Sequence, residues 1–215
     1  MDDSGPSAVF AQLAAQPSGP AIDLSALQPQ MQFNPEEARS VYVRGYGVTD
    51  AGDSHPVLTS SGAGPCLIVA AYNPATRTGA LAHLDTNTDT RSVNQMLDRL
   101  GGGPLQVHLA GGWEISRHLV ESTLDVLDAR SDVQIKSSEV INNFGTLKAM
   151  ALDTRTGEVS GDYNRYGVTR HPQLDAIIAN HGATAASFMP LRLEYDHGDI
   201  PFRPAGIKPA AGMQP

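Results

Sequence analysis

The stretch from Ser60 to Asp85, SSGAGPCLIVAAYNPATRTGALAHLD, holds the single cysteine of the chain, Cys66, and a histidine 17 residues beyond it, His83. The run PCLIVAAY is continuously apolar, the pattern of a strand covered on both faces. NPATRTG carries turn chemistry, and TGALAHL reads as the returning strand. One hairpin therefore brings Cys66 and His83 into the same neighbourhood.

Working outward, strands prevail. Upstream, SVYVRGYGV reads as a strand. Downstream, DTRSVNQMLDRLGGG reads as a helix ended by glycines. PLQVHLA alternates as a strand, with Leu105, Val107 and Leu109 on one face. GGWEISRHLVESTLDVLDARSD carries the clearest helical spacing, in which Ile115, Leu119, Val120, Leu124 and Leu127 face the sheet. DVQIKSSEVI and GTLKAMALD are further strands, DTRTGEVSGDY is a second hairpin turn, and the pair Asn142-Asn143 reads as a turn. HPQLDAIIANHG predicts a weaker helix and MPLRLEY a last strand. Recurrent hairpins with few helices predict an α+β fold with mixed, largely antiparallel β-sheets. Residues 1–40 differ in texture, because prolines punctuate a Gln-, Ser- and Ala-rich segment. They are expected to form a flexible or loosely structured N-terminal arm, with residues 41–215 as the folded domain.

Composition narrows the function classes. The chain has 215 residues, 15 Lys+Arg against 23 Asp+Glu, and a net charge of -8. That acidic balance offers no basic stripe for phosphates, so no nucleic-acid partner is expected. No apolar run approaches the ~20 residues that span a bilayer, so no membrane partner is expected. One cysteine forms no internal disulfide and points to a reducing compartment, the cytoplasm. The arm leaves open a second destination, that of an effector delivered into a target cell.

Two readings of Cys66 stand side by side. Beside LIVAA a lone cysteine serves as a small buried hydrophobe. Yet two glycines precede it, and such a turn lets a substrate approach the main chain and aims N–H groups outward. A thiol with its ordinary pKa of ~8.5 needs a partner such as His83 to act as a nucleophile near neutrality. Seven histidines are present, so proximity to one of them decides little. His108 lies opposite Leu105, Val107 and Leu109 on its strand, where it could line a pocket or simply occupy the other face. Asp85 could position His83 or bind a substrate amino group, or merely open the next loop.

The spacing of Ser60, Cys66 and His83 resembles the chemoreceptor glutamine deamidases, which share a hydroxyl residue six before the cysteine and a histidine 17 after it. A closer resemblance is to the protein N-terminal asparagine amidohydrolases. It rests on Ser60, on Asp85 with the following TNTDT turn, and on VHLAGGW from Val107 to Trp113. VYVRGYGVTD and GTLKAMALDTRTGEV extend it, so that it runs from about Val41 to Val159. Pro65, where relatives carry a small hydroxyl residue, and a longer turn after Asp85 depart from the pattern. The resemblance implies a CheD-like fold, a β-sandwich-like core flanked by helices. It implies a hydrolase that deamidates a side-chain amide through a thioester, on an N-terminal Asn or on an Asn or Gln of a target protein. Cys66 would be the nucleophile, His83 the base and Ser60 the orienting third residue. Backbone N–H groups at Gly64 and Cys66 would hold the oxyanion, and Asp85 and His108 are candidate substrate-binding residues. The partner expected is a protein or peptide bearing Asn or Gln, with no metal and no cofactor. A transglutaminase- or protease-like thiol acyl transferase, and a non-catalytic binding domain, remain rival readings.

Overall fold

The computed structural model describes residues 31–161 and 190–196. In chain order come strands β1 (Ala38–Ser40), β2 (Gly45–Asp50), β3 (Val57–Ala63), β4 (Leu67–Asn73) and β5 (Thr78–Leu84). Helix α1 (Ser92–Asp98), β6 (Leu105–Trp113), helix α2 (Arg117–Asp128), β7 (Val133–Asn142), β8 (Lys148–Asp153), β9 (Glu158–Ser160) and β10 (Arg192–Asp196) follow. Among the described residues they form a six-stranded sheet ordered β10-β2-β5-β4-β6-β7 and a four-stranded sheet ordered β1-β3-β8-β9. The β4–β5 hairpin lies at the centre of the large sheet, in antiparallel register with Ile68 opposite His83. Parallel pairs join β6 to β7 across α2, β10 to β2, and β1 to β3. The class is α+β with mixed, largely antiparallel sheets, as expected.

Every residue of β4 is buried because both faces of its sheet are covered. On one face Val69, Ala71, Ala82, Leu84, Val107 and Leu109 pack against Met96 and Leu97 of α1 and Leu119 and Leu124 of α2. On the other, Ile68, Ala70, Leu81 and Ala110 meet Leu58, Met150 and Leu152 of the small sheet. That second interface is the sandwich core. The outer face of the small sheet, Val57, Ala149 and Ala151, is covered by Met31 and Phe33. Residues Met31 to Ser40, grouped with the arm on composition, are therefore packed. Two buried apolar side chains at ~1.5–3 kcal/mol each hold them there.

Two elements differ from their sequence reading. SVYVRGYGV is not one strand. Val41 N–H donates to Thr59 O at 2.7 Å in the small sheet, and Arg44 N–H donates to His83 O at 2.6 Å in the large one. Arg44 has a φ of 62°, so the chain turns there and changes sheets within four residues. The second difference is at GGWEIS. Gly111 and Gly112 stay in β6, a 3-10 turn spans Glu114–Ser116, and α2 begins only at Arg117. Ile115, assigned to the buried helical face, is instead 77% exposed. The predicted helix HPQLDAIIANHG lies outside the described residues.

Candidate active site

The sheet crossing at Val41 builds the first half of the site. Leu58 and Ser60 alternate onto the sandwich face of β3, and Ser60 is buried. Its Oγ–H donates to the Val41 carbonyl at 2.8 Å, and the same Oγ lies 2.8 Å from Nδ1 of His83 across the sandwich. A carbonyl can only accept, so the single hydroxyl proton is committed to Val41. Nδ1 of His83 must then be the donor to Ser60, which leaves the lone pair on Nε2. That Nε2 is buried and has no hydrogen-bond partner among the described residues. An orphaned buried acceptor costs ~1–3 kcal/mol and calls for a functional account.

Cys66 sits on the same sandwich face. It packs against the cluster that contains Ile68 and Leu81, and Ile68 is directly opposite His83. Cys66 precedes Ile68 by two residues, making it the diagonal neighbour of His83, at roughly 7 Å between Cβ carbons. No hydrogen bond joins the thiol to Nε2 in the resting structure, as is common in sites that tighten around substrate.

The glycine pair of VHLAGGW fixes the other side of the nucleophile. Gly112 N–H donates to the Cys66 carbonyl at 2.7 Å. Gly111 has a φ of 111°, and a Cβ there would press into that carbonyl oxygen and Ala63. Asn142 completes the clamp, its Nδ2 donating to Gly111 O at 3.2 Å and to Glu139 O at 2.9 Å. Trp113 lies against Gly64, where any Cβ would strike its ring, and Leu147 touches the same glycine. The Trp113 Nε1–H donates to Thr146 O at 2.8 Å. Phe144 packs on Trp113 in a tilted arrangement, with ring centroids 4.6 Å apart and planes at 51°. Phe144 is 85% and Leu147 64% exposed, so an apolar rim borders the Gly64–Cys66 loop.

Burial governs the protonation of the pair. It pushes the Cys66 thiol up to about 11, aided by the negative charge of Asp85. It pushes the His83 imidazolium down to about 4, with Asp85 opposing. The free site is thus a neutral thiol facing a neutral imidazole. The thiolate is the species that alkylates, so iodoacetamide inactivation should accelerate about tenfold per pH unit through the alkaline range. A plateau near neutrality would instead reveal a preformed thiolate–imidazolium pair.

Asp85 acts electrostatically on both partners, yet its oxygens are engaged. Oδ1 accepts from Thr88 Oγ1 at 2.9 Å and from Asn87 N–H at 3.1 Å, while Oδ2 lies 3.3 Å from Arg44 Nε. His108 is elsewhere. It pairs across to Ala70 in β4, four residues from Cys66, or ~13 Å along the strand. Its Nδ1 lies 2.8 Å from Ser137 Oγ. The structure thus brings Ser60, Cys66, His83 and Asp85 together and leaves His108 outside the group.

Sequence reading passed over the clamp and one acid. The signal for the clamp was present in two successive glycines ending an alternating strand. Glu194 in β10 carries no such signal in the sequence. It is 2% exposed, and its carboxyl occupies the space where a Cβ of Gly45 would stand.

No curated protein matches the chain. A family model described as protein N-terminal asparagine amidohydrolase matches residues 28–149, more than half of the 215 residues. The matched segment contains Ser60, Cys66, His83, Asp85 and the glycine clamp. The chain belongs to the protein N-terminal asparagine amidohydrolase family, and with it to the hydrolases of amide carbon–nitrogen bonds.

Proposed function

We propose that this protein converts an N-terminal asparagine of a peptide or protein to aspartate, with Cys66 as nucleophile and His83 as its base. The observation that carries this reading is the buried, unpartnered Nε2 of His83 on the face it shares with Cys66. As the thiol attacks the side-chain amide carbon, Nε2 takes its proton, and a carbon–sulfur bond forms. The same proton passes to the amide nitrogen, the carbon–nitrogen bond breaks, and ammonia leaves a thioester on Cys66. Water then attacks the thioester, His83 accepts its proton and returns it to sulfur, and the aspartyl product departs. Neutral reactants suit this sequence, because no charge need be desolvated before substrate arrives. Backbone N–H groups around Gly64 and Cys66 stabilise the oxyanion. Ser60 holds the tautomer, as third residues of triads do. Asp85 supplies the negative charge nearest the nucleophile and attracts the substrate α-ammonium. The catalytic domain in this reading comprises residues 41–215 together with the packed segment Met31–Ser40.

The apolar rim of Trp113, Phe144 and Leu147 gives the second substrate residue a surface. Replacing Phe144 and Leu147 together by Ala should raise KM for an Asn-Leu-initiated peptide about tenfold, equal to ~1.4 kcal/mol of lost burial, with kcat unchanged. The test of the activity itself is ammonia release from peptides beginning with Asn, Gln or an acetylated Asn. Release from free N-terminal Asn alone is expected. Equal release from the acetylated peptide contradicts α-ammonium recognition, and no release from any of them contradicts the assignment.

A further inference from the structure

We infer that Glu194 is a positioning residue for His83, acting through the Val41–Tyr42 peptide. This rests on the reading of His83 as the base. The connection is continuous. Nδ1–H of His83 donates to Ser60, and Ser60 donates to the Val41 carbonyl at 2.8 Å. The N–H of the same peptide unit, that of Tyr42, donates to Glu194 Oε2 at 3.0 Å. Every donor points the same way, from the imidazole towards the carboxyl, so each bond polarises the next.

Proximity adds to the chain of bonds. Gly45 is opposite His83 in the β2–β5 register, and directly opposed Cβ positions lie about 5 Å apart. The Glu194 carboxyl fills the Cβ position of Gly45, so it borders the His83 side chain on the sandwich face. Any other residue at 45 would evict it. Glu194 reaches that spot because the register of β10 against β2 shifts between Leu193 and Tyr195, making it the extra residue of a bulge. Such bulges re-aim side chains beside functional sites.

Among the described residues, the other charged or titratable groups near the pair are few. Arg192 on the same strand lies 3.8 Å from Glu194 Oε1, while its own Nη2–H donates to Val43 O at 3.0 Å. Arg44 and Asp85 pair with each other beside it, Cys66, just before β4, is the diagonal neighbour of His83, and Tyr195 packs over Gly47 in the next row. Glu194 Oε1 accepts no hydrogen bond from the described residues. Burial, the largest influence, holds the carboxyl proton up to about 8. The carboxyl is therefore neutral near pH 7 and ionises on the alkaline side, where its charge favours positive charge on His83. Glu194 and the bulge of β10 lie beyond the segment matched by the family model, which ends at residue 149.

The test is NMR of side-chain 15N-labelled histidine, with His83 assigned by its substitution, alongside kinetics on an Asn-initiated peptide. In the wild type and in Cys66→Ala, which removes thiol titration, His83 should show the Nδ1–H tautomer. Its ring shifts should inflect as Glu194 ionises. Glu194→Gln should abolish that inflection and lower kcat about tenfold with KM within about twofold. A His83 ring blind to pH on the alkaline side, in the wild type and in Cys66→Ala, overturns the inference even if Glu194→Gln does not fold. So does an inflection near pH 8 that persists in Glu194→Gln, or a variant with the wild-type rate. If no peptide is turned over, the proposed activity falls while the NMR titration still decides the relay.

Discussion

Cys66→Ala is expected to lower ammonia release from an Asn-initiated peptide by about a thousandfold or more, because no other group in the site can form the thioester. Cys66→Ser should be nearly as slow, since a buried hydroxyl is a far weaker acid than the thiol and Nε2 of His83 is a weak base. Both variants should keep the fold. Cys66 is only partly buried at the edge of the sandwich core, so losing its sulfur costs ~1 kcal/mol at most. Thermal unfolding and activity measured on the same samples separate the two effects. A variant that stays folded and active contradicts the nucleophile assignment. A variant that unfolds returns Cys66 to the structural role that its apolar neighbours also fit.

Gly111→Ala is expected to damage stability and activity together. Its φ of 111° is one that residues with a Cβ rarely adopt, and the added carbon would press into the Cys66 carbonyl. The backbone strain alone costs ~1–3 kcal/mol, and relieving the collision must move either β6 or the nucleophile. The melting temperature should fall by ~4 °C or more, and kcat should fall with it as the Gly112–Cys66 hydrogen bond is lost. Gly62, in β3, provides the control. It too has a positive φ, 79°, but nothing lies within 4 Å of a Cβ there. Gly62→Ala should therefore lose ~1 kcal/mol and retain its rate. If both variants behave alike, backbone strain rather than contact with Cys66 accounts for Gly111.

The β4–β5 hairpin was legible because local patterns specify it. An unbroken apolar run, a turn and a returning strand need no knowledge of what packs on them. The diagonal placement of Cys66 and His83 follows from that hairpin register, and Ser60 is identified only through the family resemblance. Other features were decided by distant partners. Arg44 breaks an alternating segment because Val41 and Arg44 bond to different sheets, which alternation cannot express. Ile115 fits the helical period, but the glycines before it extend β6 and delay the helix to Arg117. Glu194 lies 111 residues after His83 in sequence. Its inward turn depends on a bulge against β2, and LRLEY alone would present it on the polar side of a regular strand.

The central claim is that deamidation passes through a thioester on Cys66. Its most direct test is partition by hydroxylamine during turnover of an Asn-initiated peptide. A thioester is captured as the aspartyl hydroxamate, so hydroxamate should form at the expense of the acid as hydroxylamine is raised, with ammonia release no slower than before. Cys66→Ala should give neither product. Conversion to the acid alone, at every hydroxylamine concentration and with full ammonia release, would contradict the account, because water would then be attacking the amide without a covalent intermediate.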